Sequence, residues 1–200
     1  MLFAEAHARW LLVLHAVLGA ATVAVTTHMV VWTWRYPRGQ ISRVAGVRWF
    51  AAVGLGLYLA QFLVGNAIYP VYKVRTRLEY FDLGSAVRAE AETRNEAREQ
   101  ADARRRADAT HDGRGVGFTG PAVVAPVNLS WVSRLFDIKE HWAALGIPMT
   151  AATFALTFAG LREGKAATGK LLFLCAVCAA LSAWLAGIIG VWVASYRAIG

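Results

Sequence analysis

The sequence predicts an all-α protein of the polytopic integral membrane class. The expected form is a four-helix bundle with a charged extramembrane helical arm between its second and third helices. Three observations carry that expectation. Four long windows contain no Asp, Glu, Lys or Arg: Trp10 to Trp34, Trp49 to Tyr72, His141 to Leu161 and Leu171 to Tyr196. Each meets the length of about 20 residues that a spanning helix needs. The chain is 57% hydrophobic, with eight tryptophans and a mean hydropathy of +0.42, which sets it apart from ordinary soluble domains. Finally, Leu83 to Thr110 alternates alanine with charged residues and has almost no large apolar side chain after Val87.

Taken in order, residues 1–72 hold the first two expected spans, 73–129 the arm and a flexible loop, and 130–200 the last two spans with an amphipathic entry. The first window is bounded by Arg9 and Arg35, with Trp10 and Trp34 where interfacial aromatics belong. Glu5 precedes Arg9 and the apolar run is long, so a retained helix is expected here rather than a signal peptide. In the second window Ala52, Gly56 and Ala60, and in the fourth Ala183, Gly187 and Val191, form stripes for close helix approach. Tyr69-Pro70-Val71-Tyr72-Lys73-Val74-Arg75 closes the second window. It reads as an aromatic belt followed by lipid-facing base residues, or as a docking element. In the arm, Arg88/Glu92, Glu90/Arg94, Arg98/Asp102, Asp102/Arg106 and Arg104/Asp108 are opposite charges four apart, which supports a solvated helix. His111 to Pro126, rich in glycine and proline, is expected as a loop. Ser130 then caps a helix in which Trp131, Leu135, Ile138 and Trp142 recur at helical spacing, interrupted by Asp137, Lys139 and Glu140. Pro148 marks a kink in the third window.

An even number of spans places both termini and the arm on one side, and the two short connections on the other. Basic residues near helix ends number seven on each side. The four arginines and no acids of Arg35–Arg48 then set the short loops in the cytoplasm, by the positive-inside rule. The net charge of +8 lies mostly beside apolar runs, so anionic lipid explains it and nucleic acid is not an expected partner. The expected location is a membrane, the bacterial inner (cytoplasmic) membrane in particular. The only two cysteines lie inside an apolar run, which excludes a secreted disulfide framework.

Histidines inside hydrocarbon are functional candidates because an imidazole is costly there. His15 and His141 fall in the leaflet that bears the arm, as do Gln61 and Asn66, the most polar residues of the second window. That layer fits one b-type haem held by the two imidazoles, with Gln61 or Asn66 as partners orienting a ring and Gly19 leaving room for the macrocycle. The competing reading is a set of polar groups that bond one another and hold the bundle in register. His28 lies in the opposite leaflet, thirteen helical steps and roughly 140° around the axis from His15. Two haems stacked along one face are therefore not expected. His28 with Cys175 and Cys178 forms a weaker candidate metal cluster, against which small-residue packing competes.

No hydrolase triad, phosphate loop or paired carboxylate is present, and catalysis is not expected. The expected role is a non-catalytic electron-transfer or accessory subunit of a membrane complex, with the lipid bilayer and other subunits as partners. Two further classes stay open: a cofactor-free structural or assembly protein that docks a partner through the arm, and a small-solute channel or transporter.

Overall fold

The computed structural model describes residues 5–112, 129–159 and 166–196. Among them every regular element is helical. A short 3-10 turn, Glu5–His7, leads into α1 (Ala8–Thr33), and a second, Tyr36–Arg38, ends at Gly39 with a left-handed φ of 77°. The chain continues through α2 (Val44–Val71), a π-helical segment (Tyr72–Phe81), α3 (Gly84–Asp112), α4 (Ser130–Leu156) and α5 (Ala166–Tyr196). Helix α1 packs on α2 and α5, and α4 packs on the same two helices.

Among the described residues, three helical stretches are long and apolar enough to cross a membrane: Glu5–Arg38, Val44–Phe81 and Ala166–Tyr196. The fourth expected span is not among them, and the helix itself gives the reason. The amphipathic entry and the apolar window are one continuous helix whose first half carries Arg134, Asp137, Lys139 and Glu140. From His141 to its end at Leu156 only 16 helical residues remain, a rise of about 24 Å against a hydrocarbon core of about 30 Å. Ser130 is the first helical residue rather than the cap; Leu129 holds the cap position without a side-chain bond.

The packing stripes also differ from those expected. On α2 the buried face is Ala51, Gly54 and Tyr58, nearly opposite the stripe of Ala52, Gly56 and Ala60, and Gly56 faces open space. On α5 it is Gly169, Leu172, Ala176, Ala179, Ala180, Ala183 and Ala186, while Val191 is 75% exposed. Tight approaches occur at other glycines, Gly146 and Gly169 among them. A Cβ on Gly146 would run into the Tyr58 ring, and one on Gly169 would sit 2.5 Å from the Tyr36 carbonyl oxygen. Buried threonines need no partner from another helix, because Thr22, Thr26, Thr33, Thr150 and Thr153 each donate to the carbonyl one turn back.

Directly after Pro70, which lacks the amide that would close the preceding turn, the helix widens into the ten-residue π segment. Asp82 and Leu83 then break the path, so α3 is a separate helix and not an extension of α2. The base of α3 is anchored: Val87 joins a buried cluster with Tyr72, Tyr80, Phe81, Leu129, Val132 and Val193, and Ala91 is buried one turn further on. Helix α3 reaches Asp112, two residues into the expected loop, and the rest of that loop lies outside the described residues. So do residues 160–165 of the second short connection.

Replacing Gly169 by Ala is expected to lower stability by about 2 kcal/mol, since a backbone carbonyl cannot swing aside as a side chain can. Gly56→Ala should be close to neutral. Thermal unfolding of the detergent-solubilised chain compares the two; equal effects would refute the close approach at Tyr36.

Candidate functional site

A cavity of about 440 Å³ lies among α1, α2 and α4. On α2 its wall is the stripe Tyr58, Gln61, Phe62, Gly65, Asn66 and Tyr69, residues three and four apart that share one helix face. On α4 the same spacing brings Phe136, Lys139, Glu140, Ala143 and Ala144 to the cavity, together with His141. Helix α1 contributes His15. All four residues of the expected polar layer, His15, Gln61, Asn66 and His141, therefore line one space.

Their environments differ. The His15 ring lies against α2 where Gly65 has no side chain: a Cβ there would be 3.2 Å from His15 Cε1. His15 Nδ1 is buried and makes no hydrogen bond. His141 is exposed on its other side, and its Nδ1 lies 2.7 Å from the Asp137 carbonyl oxygen one turn back. A carbonyl only accepts, so Nδ1 carries the proton and Nε2 keeps its lone pair. Gln61 takes the space expected for a macrocycle at Gly19, where a Cβ would stand 3.0 Å from Gln61 Nε2. The surface of α1 at Gly19 is thus covered by an amide. Asn66 turns back on its own helix and donates to the Phe62 carbonyl at 2.8 Å, so its nitrogen is not aimed at either imidazole.

Both ends of the cavity are tied down. At one, Tyr58 packs on Gly146 and donates its hydroxyl to the Ala179 carbonyl of α5 at 2.6 Å, and Ser182 donates to the Trp142 carbonyl. At the other, Tyr72 stacks on Phe136 with ring centroids 3.8 Å apart. Beside that stack Arg77 of the π segment pairs with Asp137 at 2.9 Å and with Asp82 at 3.7 Å. The turn of α4 that holds His141 is thus braced through Asp137.

Sequence reasoning missed Tyr58, Gly65, Phe136 and Lys139. The signal was available in the three- and four-residue spacing of the α2 stripe, and in Lys139 and Ala143 sharing a face of α4.

His28, Cys175 and Cys178 do not come together as expected. Among the described residues, no three His, Cys, Asp or Glu side chains converge to hold a metal ion. The His28 ring instead stacks on Phe50 of α2 with centroids 5.7 Å apart and meets the edge of Trp32. Cys175 is buried and Cys178 half-buried in α5, both as free thiols.

Neither a protein-family model nor a curated protein nor a solved structure matches the chain. The site therefore stands on its own geometry. Its most direct check is the tautomer of His141. Nitrogen-15 NMR of histidine-labelled protein in detergent should find neutral His141 protonated at Nδ1, with the assignment made by loss of the signal in His141→Ala. An Nε2–H tautomer would contradict the bond to Asp137.

Proposed function

We propose that the chain is an integral membrane subunit of the bacterial cytoplasmic membrane whose helices α1, α2, α4 and α5 form a bundle holding one b-type haem between His15 and His141. The observation that carries this reading is the pair of imidazoles on α1 and α4 lining one cavity. Its volume of about 440 Å³ falls in the range of small-molecule sites. The outward faces support the membrane setting: Trp10, Leu63 and Val191 are 74%, 68% and 75% exposed, large apolar side chains of a kind that soluble surfaces seldom gather.

The residues around the two imidazoles suit a ligand that moves single electrons. A haem held there by His15 and His141 would supply one-electron chemistry. His141 donates Nδ1–H to a backbone carbonyl, the outer contact that orients a ligating imidazole and raises the basicity of Nε2. His15 has an unbonded, buried Nδ1, and Gly65 holds its ring close to α2. Phe62, Phe136, Ala143 and Ala144 supply an apolar wall that would limit water around a bound haem, one of a protein's controls on its potential.

A dithionite-reduced minus oxidised spectrum of the purified full chain tests the reading. A b-type difference spectrum is expected, lost in His15→Ala and in His141→Ala and kept in His28→Ala. An uncoloured protein after expression with ample haem precursor would overturn it, as would a spectrum that survives both substitutions.

The exposed length of α3 supports a second role, docking to a partner subunit. Val87 and Ala91 anchor its base, whereas Glu92 to Ala107 is almost wholly exposed. Replacing residues 92–107 by a short Gly/Ser linker should abolish capture of other membrane-complex subunits and leave the thermal unfolding of the bundle unchanged. Undiminished capture would count against docking through the arm.

A further inference from the structure

One charged residue in the cavity wall has no counterpart in the haem reading so far. Lys139 is half-buried on α4, with its ammonium 5.3 Å from the Phe136 ring centroid and close against Gly190 of α5, where a Cβ would sit 3.3 Å from Nζ. The missing side chain at Gly190 is what lets the lysine fold into the interior instead of reaching outward to water. No ion pair or hydrogen bond involves Lys139 among the described residues. The nearest carboxylates do not serve it. Asp137 is taken by Arg77 at 2.9 Å, and Glu140, which lines the same cavity, stands near enough to be felt but makes no ion pair with Lys139 among the described residues.

An ammonium withdrawn from water is costly unless an anion is paired with it. This one lines the same space as His15 and His141. We propose that the cavity takes a ligand bearing a carboxylate, and that the Lys139 ammonium pairs with that carboxylate while the apolar wall receives the rest of the molecule. The proposal rests on the cavity's being a ligand site, but not on the ligand's being haem. A haem would meet it through a propionate; a fatty acid carries the same group without the iron.

Two probe pairs separate these cases in the full chain in a neutral detergent: haemin against its dimethyl ester, followed by absorbance, and oleate against methyl oleate, followed by thermal shift. A charge-assisted bond should make each free acid bind about tenfold tighter than its ester. That preference should vanish in Lys139→Gln and persist in Lys139→Arg. Equal binding of acid and ester, a preference that survives Lys139→Gln, or no binding of any probe would overturn the proposal. If haemin gives no b-type spectrum but the oleate preference depends on Lys139, the haem reading fails and the carboxylate site stands. A b-type spectrum with ester-insensitive affinity reverses that outcome.

Discussion

The hydrogen bond from Tyr58 to the Ala179 carbonyl sets the geometry on which the interior depends. Its ring leaves α2, passes over Gly146 of α4 and places the hydroxyl on the backbone of α5. Three helices are fixed relative to one another by a single side chain. The bond requires a glycine at 146, because any Cβ there would occupy the ring's position. Between helices whose outer faces are apolar, the hydrophobic effect does little to select a packing partner, and close fit and hydrogen bonds decide instead. Tyr58 supplies both. The same ring also forms part of the cavity wall.

Besides Tyr58 and Ser182, which bond across helices, two kinds of buried polar group stand out. The buried threonines satisfy their hydroxyls on their own helix and make no demand on the fold. His15 Nδ1 and Tyr72 Oη are buried without a partner. An unsatisfied buried polar atom costs about 1–3 kcal/mol, so sequences tend to retain one only where something offsets that cost. His15 lines the cavity directly, while Tyr72 stands behind Phe136, the ring that forms part of the cavity wall. Both therefore lie where a ligand or ordered water would be felt.

The layer of His15, Gln61, Asn66 and His141 was legible in the sequence because depth along a spanning helix follows from counting residues. Rotation about the helix axis was less legible. The stripe of small residues expected at Ala52, Gly56 and Ala60 lies about 170° around α2 from the buried face of Ala51, Gly54 and Tyr58. Side-chain direction was not legible at all. Nothing in the sequence says that Gln61 lies over Gly19 or that Asn66 folds back on Phe62. Lys139 and Glu140 read as an interruption at the membrane boundary, because a charge count along the chain does not reveal that Gly190, fifty-one residues later, leaves space for a lysine. His28 is the converse case. Its type suggested a metal ligand, whereas its neighbours Phe50 and Trp32 make it an aromatic packing residue.

The π segment joins features that the sequence presents as separate. Ten residues of widened helix are unusual, since π geometry generally appears as single-turn bulges. Here it is held from both sides. Tyr72, Tyr80 and Phe81 enter the apolar cluster that also takes Val87 from the base of α3 and Val193 from α5. Arg77 reaches across to Asp137, one turn before His141. Exposure of about a quarter to two-fifths on the two partners keeps this pair from being a large source of stability on its own. Its importance is directional: it fixes where the α4 turn sits, and the Asp137 carbonyl on that turn fixes the His141 ring. The charged arm and the cavity therefore stand on one foundation, the segment that begins where Pro70 interrupts the regular bonding of α2.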